Sequence, residues 1–250
     1  MKVKIEKLNV EITLKYLGEK VRLSQRTKNR IDKFWNNLKK KEGKCYYRGE
    51  VFTIDNFSRN IDNIISVKQT DYAHYVYTLH NPKKPREAPC RVFHTSALIE
   101  TSDGFFVFGE MAKHTAHAGK FQCVGGGIDL SDLENGIFNL EKNISRELEE
   151  EVGIKLNGKN LMGITEKYLK TGGVKNSIAL IYLIKTRLTK NQFQEHYKKF
   201  VSLIREKKEK PEFAKLCYIR RDKINSKIPF LLNKSDEYLI PVLKQVLSEE

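Results

Sequence analysis

The sequence predicts a mixed α/β protein, with a smaller α+β region over residues 1–90 and a larger α/β region over residues 91–250. Three observations carry that expectation. Apolar runs such as RVFHTSALIE (91–100) and GFFVFGEM (104–111) mark strands, joined by TSDG, a hairpin-like turn signal. NLEKNISRELEEEVG (139–153) has the helical period. HNPKKPREAPC (80–90) holds three of the six prolines among a cluster of charges and reads as the loop between two regions of different texture.

Taken in order, the N-terminal region opens with strand-like alternation. A helix follows in TKNRIDKFWNNLKKK (27–41), where Ile31, Phe34, Trp35 and Leu38 fall at helical spacing and form a buried stripe. The lone Trp is therefore expected in a core. YYRGEVFTI (46–54) reads as two strand segments around a glycine turn. In the second region KFQCV (120–124) leads into three glycines, and NSIALIYLIKTRL (176–188) and AKLCYIRR (214–221) supply further strands. The tail SDEYLIPVLKQVLSEE (235–250) offers Ser235 as an N-cap, with helix permitted from about Pro241. No internal repeat or low-complexity tract interrupts the pattern.

A formal net charge of +15 favours anionic partners, among them nucleotides, nucleic acid and anionic membranes. The basic residues are spread through KKKEGK (39–44), KKPR (83–86) and REKKEK (205–210), each diluted by other types, which is the pattern of a solvated surface. Charges throughout MKVKIEKLNVEITLKYLG leave no signal-peptide core. The longest apolar run, SIALIYLI (177–184), is far too short to span a bilayer. The four cysteines lie far apart with no CxxC pair, so free thiols in a reducing, cytoplasmic setting are expected.

Against that basic background, GGGIDLSDLENGIFNLEKNISRELEEEVGI (125–154) concentrates carboxylates. Ile144, Leu148 and Val152 recur every four residues and face a core. Glu147, Glu150 and Glu151 share another face, Glu149 points elsewhere, and Arg146 stands one turn before Glu150. Gly153 ends the helix. Like charges on one face destabilise an isolated helix by a few tenths of a kcal/mol per close pair. Mg²⁺ or Mn²⁺ reverses that sign, since both take hard oxygen ligands. A glycine turn beside such ligands admits a backbone carbonyl or a bound phosphate. Carboxylates, metal and a tight turn together point to phosphate-ester or diphosphate chemistry.

RELEEEVGI (146–154) resembles the second half of the Nudix box, agreeing at Arg146, Glu147, Leu148, Glu150, Glu151, Gly153 and Ile154, and Gly125–Gly126 resembles the glycine pair that opens it. The resemblance implies a Nudix-type α/β/α sandwich. The first half departs from the pattern. Gly126 lies twenty residues before Arg146, six more than in the usual box, Phe138 holds the glutamate position, and Val124 replaces the strand-end proline. A six-residue insertion around DLSDLENG accounts for the spacing, and Asp129, Asp132 and Glu134 are the candidates for the missing carboxylate. FWNNLKKKEGKCYYRGEVFTI (34–54) with TDYAHYVYT (70–78) resembles the leader domain of Nudix proteins in the UDP-sugar diphosphatase-like group.

The resemblance implies water attack on a diphosphate phosphorus, with Mg²⁺ (or Mn²⁺) held by Glu147, Glu150, Glu151 and the carbonyl of Gly125, and with Arg146 orienting the glutamates. Glu212 in KPEFAKLCYI is the later-loop candidate for a general base. In MAKHTAHAGKFQ (111–122), Lys113, His117 and Lys120 are the candidates for substrate contact, and Lys113 is the first choice for the phosphates. The expected substrate is a nucleoside-diphosphate derivative, with a nucleotide sugar favoured by the leader resemblance. The competing readings are hydrolysis of RNA 5′ ends, which a clustered basic stripe with aromatics would favour, and an inactive Nudix-fold regulator, which an eroded helix motif would favour.

Overall fold

The computed structural model describes residues 2–42, 47–57, 63–81, 89–115 and 117–249. The first region contains β1 (Val3–Lys7), β2 (Thr13–Lys20), α1 (Gln25–Glu42), β3 (Glu50–Phe57), β4 (Ile64–Asp71) and α2 (Tyr72–His80). Then come β5 (Phe93–Glu100), β6 (Phe105–Met111), β7 (Phe121–Gln122), the short hairpin β8 (Leu133–Glu134) and β9 (Ile137–Phe138), and α3 (Leu140–Val152). The chain continues through β10 (Leu161–Gly172), β11 (Ile178–Thr186), α4 (Lys190–Glu206), β12 (Phe213–Arg220), α5 (Ile224–Leu231) and α6 (Leu239–Leu247). The proline-rich loop expected at 80–90 falls largely outside the described residues.

The larger, seven-stranded sheet has the order β1-β10-β11-β5-β6-β12, with β7 on β6. β5 and β11 run parallel at its centre, and the neighbouring pairs are antiparallel. Both central strands are buried almost throughout, because each face of the sheet is covered. On one face Ile144, Leu148 and Val152 of α3 and Phe193 and Tyr197 of α4 pack on Ala97, Ile99, Leu180 and Tyr182. On the other, Ile224 and Leu231 of α5 and Leu239, Val242 and Leu243 of α6 pack on Leu98, Phe106, Ala179 and Ile181. This is the α/β/α sandwich that the sequence predicts.

A second sheet has five strands in the order β3-β4-β2-β9-β8. Its Leu14, Phe52, Ile65 and Val67 join the same core as α3, so the two sheets share apolar packing. Strands cross between the regions: β1 pairs with β10 of the large sheet, and the β8–β9 hairpin, which lies in the box insertion, joins β2 of the small one. Ile31, Trp35 and Leu38 of α1 pack against Ala73 and Val76 of α2, as the helical stripe requires, with Phe34 partly buried beside them.

Two expectations are corrected. Among the described residues of YYRGEVFTI, Glu50–Ile54 belongs to β3 and Tyr47–Gly49 is coil. Arg48 is drawn sideways to Asp32 (2.7 Å) and Asp71 (2.8 Å), so ion pairs rather than a ladder fix that stretch. Ser235 caps no helix, because it forms a bridge with Phe121. α6 starts at Leu239 without a side-chain cap, and Pro241 sits in its first turn, where a missing N–H costs nothing.

Candidate active site

The site begins where Val124–Gly127 runs against β5. Ala97 N–H donates to the Val124 carbonyl (2.7 Å), and Thr95 N–H donates to that of Gly126 (3.1 Å). Gly125 has φ 149°, and a Cβ there would overlap the Thr95 carbonyl. A Cβ on Gly126 would stand 2.5 Å from Glu147 Oε1. The glycine pair is thus what lets the turn touch both β5 and the glutamates of α3.

α3 is held at both ends by its own sequence. Asn139 caps it by accepting from Lys142 N–H (3.0 Å), and Gly153 at φ 70° closes it while Ile154 N–H returns to Leu148 O (3.1 Å). With Ile144, Leu148 and Val152 locked in the core, Glu147 and Glu151 turn toward the glycines and are buried, at 8% and 3% exposure. Glu150 stays in solvent. Gly125 N–H donates to Glu151 Oε2 (2.9 Å), while the buried Glu151 Oε1 has no partner among the described residues.

Glu212, just before β12, brings a third carboxyl against Glu151. Burial, opposed by Arg146, pushes Glu147 up to about 7. Burial and the neighbouring Glu212 hold Glu151 well above the usual carboxylate range, and burial raises Glu212 as well. Burial and mutual repulsion thus keep these three carboxyls from ionising together.

Arg146 bonds Glu147 (2.8 Å), Glu150 (3.2 Å) and Asp132 (3.2 Å). This separates the three acids of the insertion. Asp132 is fully buried, and its Oδ2 also accepts from Asn143 Nδ2 (2.8 Å) and Asp129 N–H (2.9 Å). Asp129 caps the 3-10 turn Leu130–Asp132, and Glu134 faces Lys142 and Asn139 outside. Asn143, buried in α3, ties this group to the turn by donating to the Gly127 carbonyl (3.0 Å) and accepting from the Thr95 hydroxyl. Asp132→Asn should lower stability by about 2–3 kcal/mol, the worth of hydrogen bonds to a charged group, and should reduce turnover more than substrate affinity. Denaturant unfolding beside steady-state kinetics checks this, and unchanged stability would show that Arg146 does not depend on Asp132.

Gly125–Gly127, Arg146 and Glu212 wall one side of a cleft of about 460 Å³, with Phe52, Tyr72 and Tyr75 of the first region on another; Glu147 and Glu151 stand behind that wall and do not line it. His117 lines it; Lys113 and Lys120 do not. Both of those lysines are exposed, and Lys120 Nζ donates to the Asn233 carbonyl (2.6 Å). The cleft lysines are instead Lys170 and Lys175, with His94 and Asp236 beside them. Only a buried lysine at the end of a long strand pattern could have signalled Lys170; the others sit in loops with no motif.

The donor set fits a hard divalent cation: buried carboxylates, one orphaned oxygen, and a glycine turn that leaves its backbone accessible. Among the described residues no three acidic, histidine or cysteine side chains are placed, as they stand, to hold a metal ion together. Glu147 turns to Arg146, and Glu151 to Gly125.

No protein-family model matches the chain, and neither does any curated protein. Solved structures similar to it include the MutT protein from Methanosarcina mazei Go1, at 15% identity over 66% of this chain and 98% of that one, TM-score 0.40. A Nudix hydrolase from Nitrosomonas europaea is 17% identical over 64% and 87% of the two chains, TM-score 0.35. A bifunctional NMN adenylyltransferase/ADP ribose pyrophosphatase from Francisella tularensis is 14% identical over 71% and 47%, TM-score 0.43.

Proposed function

We propose that the chain is a divalent-metal-dependent Nudix-type diphosphatase that cleaves a nucleoside-diphosphate derivative, a nucleotide sugar in the first place. The observation that carries this reading is the meeting of Glu147, Glu151 and Glu212 at the Gly125–Gly126 turn, with an unpartnered buried oxygen on Glu151. Glu147, Glu150 and Glu151, with the Gly125 carbonyl, are the residues that would hold Mg²⁺ or Mn²⁺. The ion supplies positive charge for the diphosphate and for the charge that develops on it.

Arg146 fixes the glutamates from behind, through Glu147 and Glu150, and is itself fixed by Asp132. Glu212 accepts a proton from the attacking water. The new bond joins that water's oxygen to phosphorus, the bridging P–O bond breaks, and its electron pair leaves with the departing phosphate. The products are a nucleoside monophosphate and a sugar phosphate. Retention of all three helix glutamates favours an enzyme over an inactive regulator, and the scattered lysines favour a small substrate over RNA. Cys90, Cys123 and Cys217, free and widely spaced, fit a cytoplasmic setting.

The deciding experiment is a panel of nucleotide sugars, dinucleotides and capped RNA with Mg²⁺ or Mn²⁺, read as released phosphates. Hydrolysis should require the metal, vanish in chelator, and be fastest on a nucleotide sugar. Turnover of capped RNA alone would replace the substrate, and no turnover at all would remove the enzymatic reading.

A further inference from the structure

Beyond the glutamates the cleft runs into a second polar centre that hydrolysis does not use. It is built from four places in the chain: His94 on β5, Tyr75 on α2, Lys170 with Lys175 and Ser177 around the β10–β11 connection, and Asp236 before α6. Lys170 is buried at 1% exposure and spends its three protons on the Ser177 carbonyl (3.0 Å), the Ser177 hydroxyl (2.9 Å) and Glu237 Oε1 (3.0 Å). Lys175 Nζ donates to Asp236 Oδ2 (2.7 Å), and Glu237 N–H donates to Asp236 Oδ1 (2.6 Å).

The charges therefore cancel in pairs, Lys170 with Glu237 and Lys175 with Asp236. A centre so balanced offers little to another phosphate. It is rich in fixed hydrogen-bonding groups instead. Burial, with Lys170 and Lys175 alongside, pushes His94 down to about 3, so its imidazole is neutral and can accept at one nitrogen while donating at the other. Neither the His94 ring nor the Tyr75 hydroxyl has a hydrogen-bond partner among the described residues, yet both line the cleft. Lys175 keeps donors to spare, and Asp236 accepts only.

Hydroxyls match that set better than a phosphate does, since each donates once and accepts twice. Phe52 and Val51 on the facing wall add an apolar surface for the C–H face of a ring.

We propose that Tyr75, His94, Lys175 and Asp236 form the subsite for the sugar hydroxyls of a nucleoside-diphosphate derivative whose diphosphate lies against Glu147 and Glu151. This rests on the diphosphatase reading above. The subsite places the first region's helix α2 in contact with substrate through Tyr75.

The test is calorimetric, with Ca²⁺ in place of Mg²⁺, comparing UDP-glucose, ADP-ribose and GDP-mannose with UDP, ADP and GDP. At least one sugar nucleotide should bind about tenfold tighter than its bare nucleotide. Tyr75→Phe, which removes a hydroxyl with no hydrogen-bond partner among the described residues, should weaken that sugar nucleotide about 5–10-fold and leave the bare nucleotide unchanged, as the loss of one hydrogen bond predicts. Asp236→Asn should do the same, with its melting temperature measured in parallel. Equal weakening of sugar nucleotide and nucleotide would assign the centre to the nucleoside and overturn the proposal, as would no weakening in Tyr75→Phe. Metal-dependent hydrolysis of the same panel by the wild-type protein is scored separately. Its loss would count against the diphosphatase reading, and its presence with unaltered variants against the subsite alone.

Discussion

Glu151→Gln should abolish metal-dependent turnover, by on the order of 10²–10³-fold or more, while making the metal-free protein more stable. The two effects have one cause. Glu151 is 3% exposed, its Oε2 takes the Gly125 N–H, its carboxyl stands against Glu212, and its Oε1 has no hydrogen-bond partner among the described residues. The amide keeps an acceptor for Gly125 and removes a buried carboxyl whose ionised form costs stability unless a cation compensates it. Glu151 would act by holding the cation, and loss of a positive charge that stabilises the reacting phosphate is worth about that much in rate. Kinetics with Mg²⁺ and thermal melting in chelator read both signs at once. Full activity, or a lower melting temperature without metal, would show that Glu151 is a structural carboxylate.

The metal-free protein should also lose stability as pH rises. Glu147 sits at about 7 in the fold against about 4.5 for an unstrained glutamate, and Glu151 lies higher still. A carboxyl whose folded value is raised contributes stability fully present below the unfolded value and lost as pH climbs through the folded one. The window is therefore from about pH 4.5 to about pH 7 for Glu147, with Glu151 extending it upward. For Glu147 alone the loss is on the order of 3 kcal/mol, or roughly 6–12 °C in melting temperature for a chain of this size. Millimolar Mg²⁺ or Mn²⁺ should restore most of it at pH 8, because the ion binds the ionised forms. A melting temperature that holds level from pH 5 to pH 8 in chelator, and does not respond to metal, would refute the account.

What was legible in the sequence follows from what was local. The box helix carries its own caps in Asn139 and Gly153 and its own apolar period in Ile144, Leu148 and Val152. Its position and its inward carboxylates follow from those residues. α2 is different: YAHYVYTLH is rich in strand formers, and it is helical because Asp71 caps it and Ala73 and Val76 find α1. α4 hides a stripe of Phe193 and Tyr197 among lysines and glutamines. That Asp132, rather than Asp129 or Glu134, is the one that bonds Arg146 depends on the 3-10 turn that points it inward. The second polar centre was invisible for a related reason. Lys175 and Asp236 are sixty-one positions apart, and nothing in either segment anticipates the other.

The exchange of β1 into the large sheet has a bearing on how the chain tolerates cutting. Val3–Lys7 covers the outer edge of β10 from Tyr168 to Gly172, and Lys7 clamps it through Glu166 (2.8 Å) and Glu249 (3.3 Å). If the first ninety residues were removed by a protease, that edge would lose its cover and present a row of bare N–H and C=O groups. Such an edge recruits any strand that will lie beside it, including the same edge of another molecule. The N-terminal strand thus replaces a twelve-residue edge with a five-residue one that carries Lys4 and Lys7, a blunter edge for self-association and a service independent of any part it plays at the cleft.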